Sequence, residues 1–182
     1  VLDSSGNYLR TVGGRGVSCN RWYYARQFEI YNDLIYVVDY YGHKIKVVDL
    51  NGKCIKSQSL LTRSVYSSGS HPYPSGIAVG SSYIYVSQGW YKGTITIHNT
   101  SNLSLVKTFT DSSRLYYSYN IDLNASENAL IVSNQNSWAG HPPVVKYTVS
   151  GSTLSFSTTL DRSIYSPSGV AFDSNDNIYV SS

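Results

Sequence analysis

The stretch Pro74-Ser75-Gly76-Ile77-Ala78-Val79, followed by Tyr83-Ile84-Tyr85-Val86, decides the fold. Each run is short and rich in β-branched and aromatic residues, so each reads as a β-strand. The second run recurs as Leu34-Ile35-Tyr36-Val37, Ala129-Leu130-Ile131-Val132 and Asn177-Ile178-Tyr179-Val180. With Ile35, Ile84, Leu130 and Ile178 as anchors, the steps are 49, 46 and 48 residues. A period in that range is the signature of a repeat architecture. The first run recurs as Phe28-Glu29-Ile30, Ile121-Asp122-Leu123 and Val170-Ala171-Phe172, with tight turns such as Asn32-Asp33 between the two. A third strand follows at Lys44 to Asp49, Thr94 to His98 and Val144 to Thr148, and a fourth at Cys54 to Ser57, Leu105 to Phe109 and Leu154 to Thr158. No stretch has a helical apolar period of useful length.

Four antiparallel strands in about 47 residues, repeated, define an all-β β-propeller with four-stranded blades. A β-sandwich would not repeat four strands with so constant a turn pattern. The motifs Pro74 to Val79 with Ile84 to Ser87, and Pro167 to Asp173 with Asn177 to Val180, resemble the NHL-repeat propeller family. Ile35 to Asp39 with Lys44 to Gly52 matches the second half of that pattern. In two blades Ala25-Arg26-Gln27 and Ser118-Tyr119-Asn120 replace Pro-Ser-Gly, so the pattern is degenerate there. The resemblance implies a platform for binding protein or RNA, with a few metal-dependent hydrolases or lyases among propeller relatives.

The spacing divides the chain into a half blade 1–14, blades 15–60, 61–110 and 111–160, and a half blade 161–182. Val1 to Arg10 aligns with Val47 to Lys56, so the chain opens inside a third strand and closes after a second. The two ends are halves of one blade. They either meet in a small closed ring or belong to a longer, six-bladed polypeptide, the expectation preferred here.

The 182 residues fit one domain. Composition excludes disorder and coiled coil: 41% of residues are hydrophobic, only 14% are charged, and there are 18 Tyr. No apolar run approaches the roughly 18 residues of a membrane span. The net charge of +3 does not announce a nucleic-acid binder. Cys19 and Cys54 either form one bridge across the first complete blade or sit as small buried residues.

Blade topology sorts the loops onto two faces. One receives Trp22, Tyr23, Tyr24, Tyr40, Tyr41, Tyr66, Tyr73, Trp90, Tyr91, Tyr116, Tyr117, Trp138 and Tyr165. Arg21, Arg63, Arg114 and Arg162 recur just before the first strands, and His43, His71, His141, Gln88, Asn134, Gln135 and Asn136 join them. Tyr, Trp and Arg dominate binding hot spots. The expected binding residues are Arg21, Trp22, Tyr40, Tyr41, Arg63, Trp90, Tyr91, Arg114, Tyr117, Trp138 and Arg162. The competing reading is that these aromatics pack between blades and the arginines pair with carboxylates.

The opposite face carries three N-glycosylation triplets, at Asn99, Asn102 and Asn124. With the two cysteines they favour an extracellular or cell-surface protein. Gly13-Gly14-Arg15-Gly16 precedes no helix and is not a phosphate loop, and no nucleophile elbow or HExxH is present. His43, His71 and His141 share a face, but lone loop histidines rarely make a metal site. The expectation is a non-catalytic scaffold without cofactor or metal, recognising protein or carbohydrate. An RNA platform and a structural repeat unit that self-assembles through open blade edges are the alternatives.

Overall fold

The computed structural model describes residues 1–60, 73–89, 93–135, 140–160 and 163–182. Three four-stranded antiparallel sheets follow one another, each in simple sequence order. The first is β1 (Ala25–Tyr31), β2 (Leu34–Asp39), β3 (Lys44–Asp49) and β4 (Cys54–Ser59). The second is β5 (Pro74–Val79), β6 (Tyr83–Gln88), β7 (Thr94–Asn99) and β8 (Leu105–Thr110). The third is β9 (Ser118–Leu123), β10 (Ala129–Asn134), β11 (Val144–Ser150) and β12 (Thr153–Thr159). β13 (Gly169–Phe172) and β14 (Ile178–Ser181) make a two-stranded half blade. The innermost strands pack in series, β1 on β5, β5 on β9 and β9 on β13, so they line the axis of a propeller arc.

The blades are held face to face by aliphatic layers. Ile77, Ile84 and Val86 meet Val38, Ile45 and Val47 between the first two blades. Ala78, Tyr85 and Ile95 meet Ile121, Leu130 and Val132 between the second and third. Burying a Val, Leu or Ile side chain fully contributes about 1.5–3 kcal/mol. The middle strands β6 and β10 are covered on both faces, which is why their patterns read as continuous apolar runs. β1 alternates instead, leaving Phe28 and Ile30 largely exposed on the outer side of the first blade.

Every complete blade carries a β-bulge near the start of its inner strand, between Ala25 and Phe28, Pro74 and Gly76, and opposite Val132 to Asn134. A bulge sets two residues against one and re-aims side chains. Here it turns adjacent residues, Arg26 and Gln27, toward neighbouring inner strands.

The departures from Pro-Ser-Gly have a structural meaning. Gln27 Oε1 accepts the Ile77 N–H at 3.0 Å, and Glu29 Oε2 accepts the Val79 N–H at 2.7 Å. Ninety-three residues on (120 minus 27), Asn120 Oδ1 accepts the Val170 N–H at 3.1 Å and Asp122 Oδ2 the Phe172 N–H at 2.6 Å. The first and third blades therefore supply acceptors. The second and fourth place Gly76 and Gly169, Ala78 and Ala171, at the matching positions. In return Ser75 Oγ donates to the Ser118 carbonyl at 2.7 Å. The blades alternate in kind.

Residues 1–14, expected as half a blade, form a short hairpin closed by a Leu2–Tyr8 bridge. The Arg10 guanidinium donates to the Leu50 carbonyl at 2.6 Å and anchors the segment on the first blade. Among the described residues no helix is long and apolar enough to cross a membrane.

Candidate binding face

The β2–β3 loop and the connection into β5 end on the same side of the blades. Tyr40 and Tyr73 have ring centroids 4.9 Å apart, and His43 lies 5.0 Å from Tyr73. Tyr24, just before β1, joins at 6.1 Å from Tyr40 and 5.6 Å from Tyr41. Tyr40 is buried, whereas Tyr41 is 60% exposed and Tyr23 and Tyr24 are half exposed. Most rings in the cluster meet edge to face, the favourable arrangement for aromatic quadrupoles. A second group lies on the third blade, where Tyr116 stacks on His141 at 4.7 Å and touches Tyr117 at 4.8 Å.

What fixes the first group is a buried ion pair. Asp39, fully buried at the end of β2, lies 2.8 Å from Lys46 Nζ. Its carboxylate also accepts the backbone N–H groups of Tyr23, Tyr24 and Gly42 at 3.0–3.2 Å. Lys46 Nζ donates further to the carbonyls of Ser18 and Arg21. Burial alone would raise the Asp39 pKa, but the Lys46 and backbone hydrogen bonds outweigh it and hold the group below the usual carboxylate range. Gly42 is required, since a Cβ there would stand 2.1 Å from Asp39 Oδ2. A cleft of about 180 Å³ opens above this pair between Tyr23 and Tyr41.

Asn134, the counterpart of Asp39 on the third blade, uses its side chain in the same way. Its amide donates to the Arg114 and Pro142 carbonyls, both at 2.7 Å, and its oxygen accepts the Tyr116 N–H at 3.2 Å. Gln88 is buried and donates to Thr96 Oγ1 at 3.1 Å. Asn134 thus holds its neighbouring loops, and Gln88 ties β6 to β7.

At the loop end of the inner strand β1 stands Arg26. Its guanidinium carbon is 3.9 Å from the Tyr119 ring centroid, 4.7 Å from Tyr40 and 5.9 Å from Tyr24. It reaches Tyr119 over the second blade because the matching residue there is the small Ser75. Further along β1, Glu29 is pushed up to about 8, chiefly by burial and also by the Asp122 carboxylate, against the lowering hydrogen bond from Val79.

The other expected residues separate. Arg21 is exposed and donates weakly to the Arg15 carbonyl at 3.5 Å. Trp22 lies away from the tyrosines, lining a cavity of about 470 Å³ with Val1, Val12, Phe28, Ile30 and Val37 on the open side of the first blade. Arg114 pairs with Asp111 at 3.0 Å and covers the Phe156 ring at 4.0 Å. Tyr40, Tyr41 and Tyr117 stand on the tyrosine-rich face. Arg63, Tyr66, His71, Trp90, Tyr91, Asn136, Trp138, Asp161 and Arg162 lie outside the described residues. Arg26 and Tyr119 were missed as site residues. Their signal was the replacement of Pro-Ser-Gly by longer side chains in alternate blades.

On the opposite face Asn102 is exposed, and Asn99 caps its turn by accepting from Ser101 at 2.9 Å. Asn124 sits differently from Asn102. It is 2% exposed, and its Nδ2 donates to Asn128 at 2.8 Å and Asp176 at 3.0 Å. An attached sugar would have to replace those Nδ2 hydrogen bonds, and the Asn124 oxygen also accepts the Asn128 and Ala129 N–H groups of its turn. Cys19 and Cys54 are joined by a disulfide spanning 35 residues, a feature compatible with an extracellular location. Among the described residues no group of three or more ligating side chains is placed to hold a metal.

No family model matches the sequence, and no curated protein matches it. The fold does find solved counterparts. A hydrazine synthase chain from Kuenenia stuttgartiensis superposes with a TM-score of 0.59 at 12% identity, over 79% of this chain and 37% of that one. The Pan2 WD40 domain of Neurospora crassa gives 0.52 at 10% identity, over 75% and 35%. The chain thus spans little more than a third of the length of these solved chains. Together with the sheet order, these likenesses establish a β-propeller architecture.

Proposed function

We propose that the chain is a non-catalytic propeller scaffold of NHL-like type that recognises a protein or glycan partner through its tyrosine- and arginine-bearing loop face, at the cell surface or outside the cell. The observation that carries this is the contiguous cluster of Tyr24, Tyr40, Tyr41 and Tyr73, exposed at Tyr24 and Tyr41 and held from beneath by the Asp39–Lys46 pair. Loops on a rigid sheet scaffold are where binding residues concentrate. Tyr supplies large contact area at small entropic cost. The disulfide supports an oxidising location.

A second reading, a structural repeat unit closing against a neighbour, draws on the open apolar side of the first blade around Phe28 and Ile30. An RNA platform has less support, because Lys46 and Arg114 are already paired with Asp39 and Asp111. The test is binding of the intact chain to peptide and glycan arrays. Tyr41→Ala should weaken any specific ligand about tenfold or more with an unchanged melting temperature. Asn102→Gln on the far side should leave it unchanged. Loss with Asn102→Gln alone would reverse the faces.

A further inference from the structure

We infer that Arg26 is the specificity-determining group of this face and that it takes a carboxylate from an acidic peptide segment of a protein partner. The inference rests on the binding-face reading and names what that face selects.

Three observations carry it. First, Arg26 makes no hydrogen bond or ion pair with any described residue, and its Nε is buried without a partner. A guanidinium has five N–H donors, and the four on the Arg26 Nη atoms have no hydrogen-bond or ion-pair partner among the described residues. Second, the ring of Tyr119 covers it at 3.9 Å and that of Tyr40 stands at 4.7 Å. Rings hold a guanidinium by its faces and leave its edge donors free, which is the fork that matches a carboxylate. Third, four structural acidic side chains are engaged elsewhere. Asp39 holds Lys46 and the loop N–H groups, Asp111 holds Arg114, Glu29 holds the Val79 N–H and Asp122 the Phe172 N–H. Only Asp161 of the eleven acidic residues lies outside the described residues.

The surrounding rings choose the peptide over a sugar acid. Tyr24, Tyr40 and Tyr41 pack at 64–82° to one another, so together they form an angled wall and not one flat platform. Sugar stacking needs an open flat face, whereas a peptide side chain fits the faceted wall and the cleft of about 180 Å³ between Tyr23 and Tyr41.

The experiment selects binders for the intact chain from a displayed random dodecapeptide library and measures the winners on purified protein. Winners should carry Asp or Glu. Replacing that residue by Gln or Asn should weaken binding about tenfold or more, as should Arg26→Leu, and the two changes together should cost no more than either alone. Arg26→Lys, which keeps the charge but loses the fork, should recover little of the loss, and melting temperatures check that each variant folds. Winners without acidic residues that ignore Arg26→Leu but fail on Tyr41→Ala overturn this inference and leave the binding face standing. Winners indifferent to both substitutions overturn the binding face itself. Arg26-dependent binding of an oligogalacturonide with none of the acidic peptides transfers the carboxylate to a sugar and overturns the peptide assignment. Acidic-peptide affinity that rises tenfold in Asp161→Asn shows that the fork is occupied by the chain itself, which also overturns it.

Discussion

Gln27 and Gly76 are a fitted pair. The Gln27 side-chain oxygen accepts the Ile77 N–H at 3.0 Å, and a Cβ on Gly76 would stand 2.9 Å from that same oxygen. The Gln27 amide nitrogen goes on to the Ile121 carbonyl at 3.0 Å, so one side chain ties three inner strands. The missing side chain in the second blade is what lets the first blade reach the third.

Gly76→Ala should therefore destabilise the fold. Its new methyl would also stand 2.6 Å from Ser87 Oγ and 2.8 Å from Ile121 Cγ2, and overpacking of this kind costs about 1–3 kcal/mol. Gly169→Ala meets only Ser181 Oγ at 2.7 Å, a side chain that turns easily, and should cost clearly less. Urea unfolding of both variants ranks them; equal losses would refute the fitted pair.

Glu29 gives a pH dependence with a definite sign. Its pKa rises from about 4.5 when exposed to about 8 when folded, so the folded chain binds the extra proton between those values. Its contribution to stability is greatest at and below about pH 4.5 and falls as the pH climbs to about 8. Glu29→Gln should flatten the difference in unfolding free energy measured across that window. An unchanged slope would show that Glu29 titrates normally.

Asp39→Ala strands a buried lysine. Removing one member of a buried pair costs about 3–5 kcal/mol. Replacing Lys46 by Met together with Asp39→Asn should recover much of that loss, because Asn still accepts loop N–H groups. Since the Asp39 pKa is lowered on folding, its contribution is present above the ordinary carboxylate range and is lost as acid protonates it below that range. Thermal melts of the single and double variants at neutral pH give the comparison.

Reduction of Cys19–Cys54 frees a loop of 35 residues. Chain entropy alone assigns about 3–4 kcal/mol to such a closure. Cys19→Ser with Cys54→Ser should lower the denaturation midpoint by a matching amount while leaving the sheet signal in circular dichroism intact. A loss under 1 kcal/mol would mean the reduced chain keeps its loop in place by other contacts.

The strands were legible because Ile35, Ile84, Leu130 and Ile178 sit in apolar runs bounded by turns, and the structure extends several of them by only a residue or two. The two faces were legible because hairpin topology alone decides which loops share an end, and Tyr40 does meet Tyr73. Arg26 was not, because a bulge breaks the two-residue alternation that sequence reading relies on. Nothing in the sequence put Trp22 beside Val12 and Phe28, with which it lines a cavity on the first blade. The Asn124 triplet gave no hint that Asp176, from a different blade, closes over it.

The alternation of inner strands makes the pair of blades, and not the single blade, the smallest unit that can be copied safely. Duplicating one blade alone would set Gln27 against a second glutamine or leave Gly76 facing another glycine across a gap. Duplicating two together keeps an acceptor blade beside a glycine blade at each junction. A ring written wholly in this code closes only with an even number of blades, and a designer lengthening or shortening the arc must count by twos.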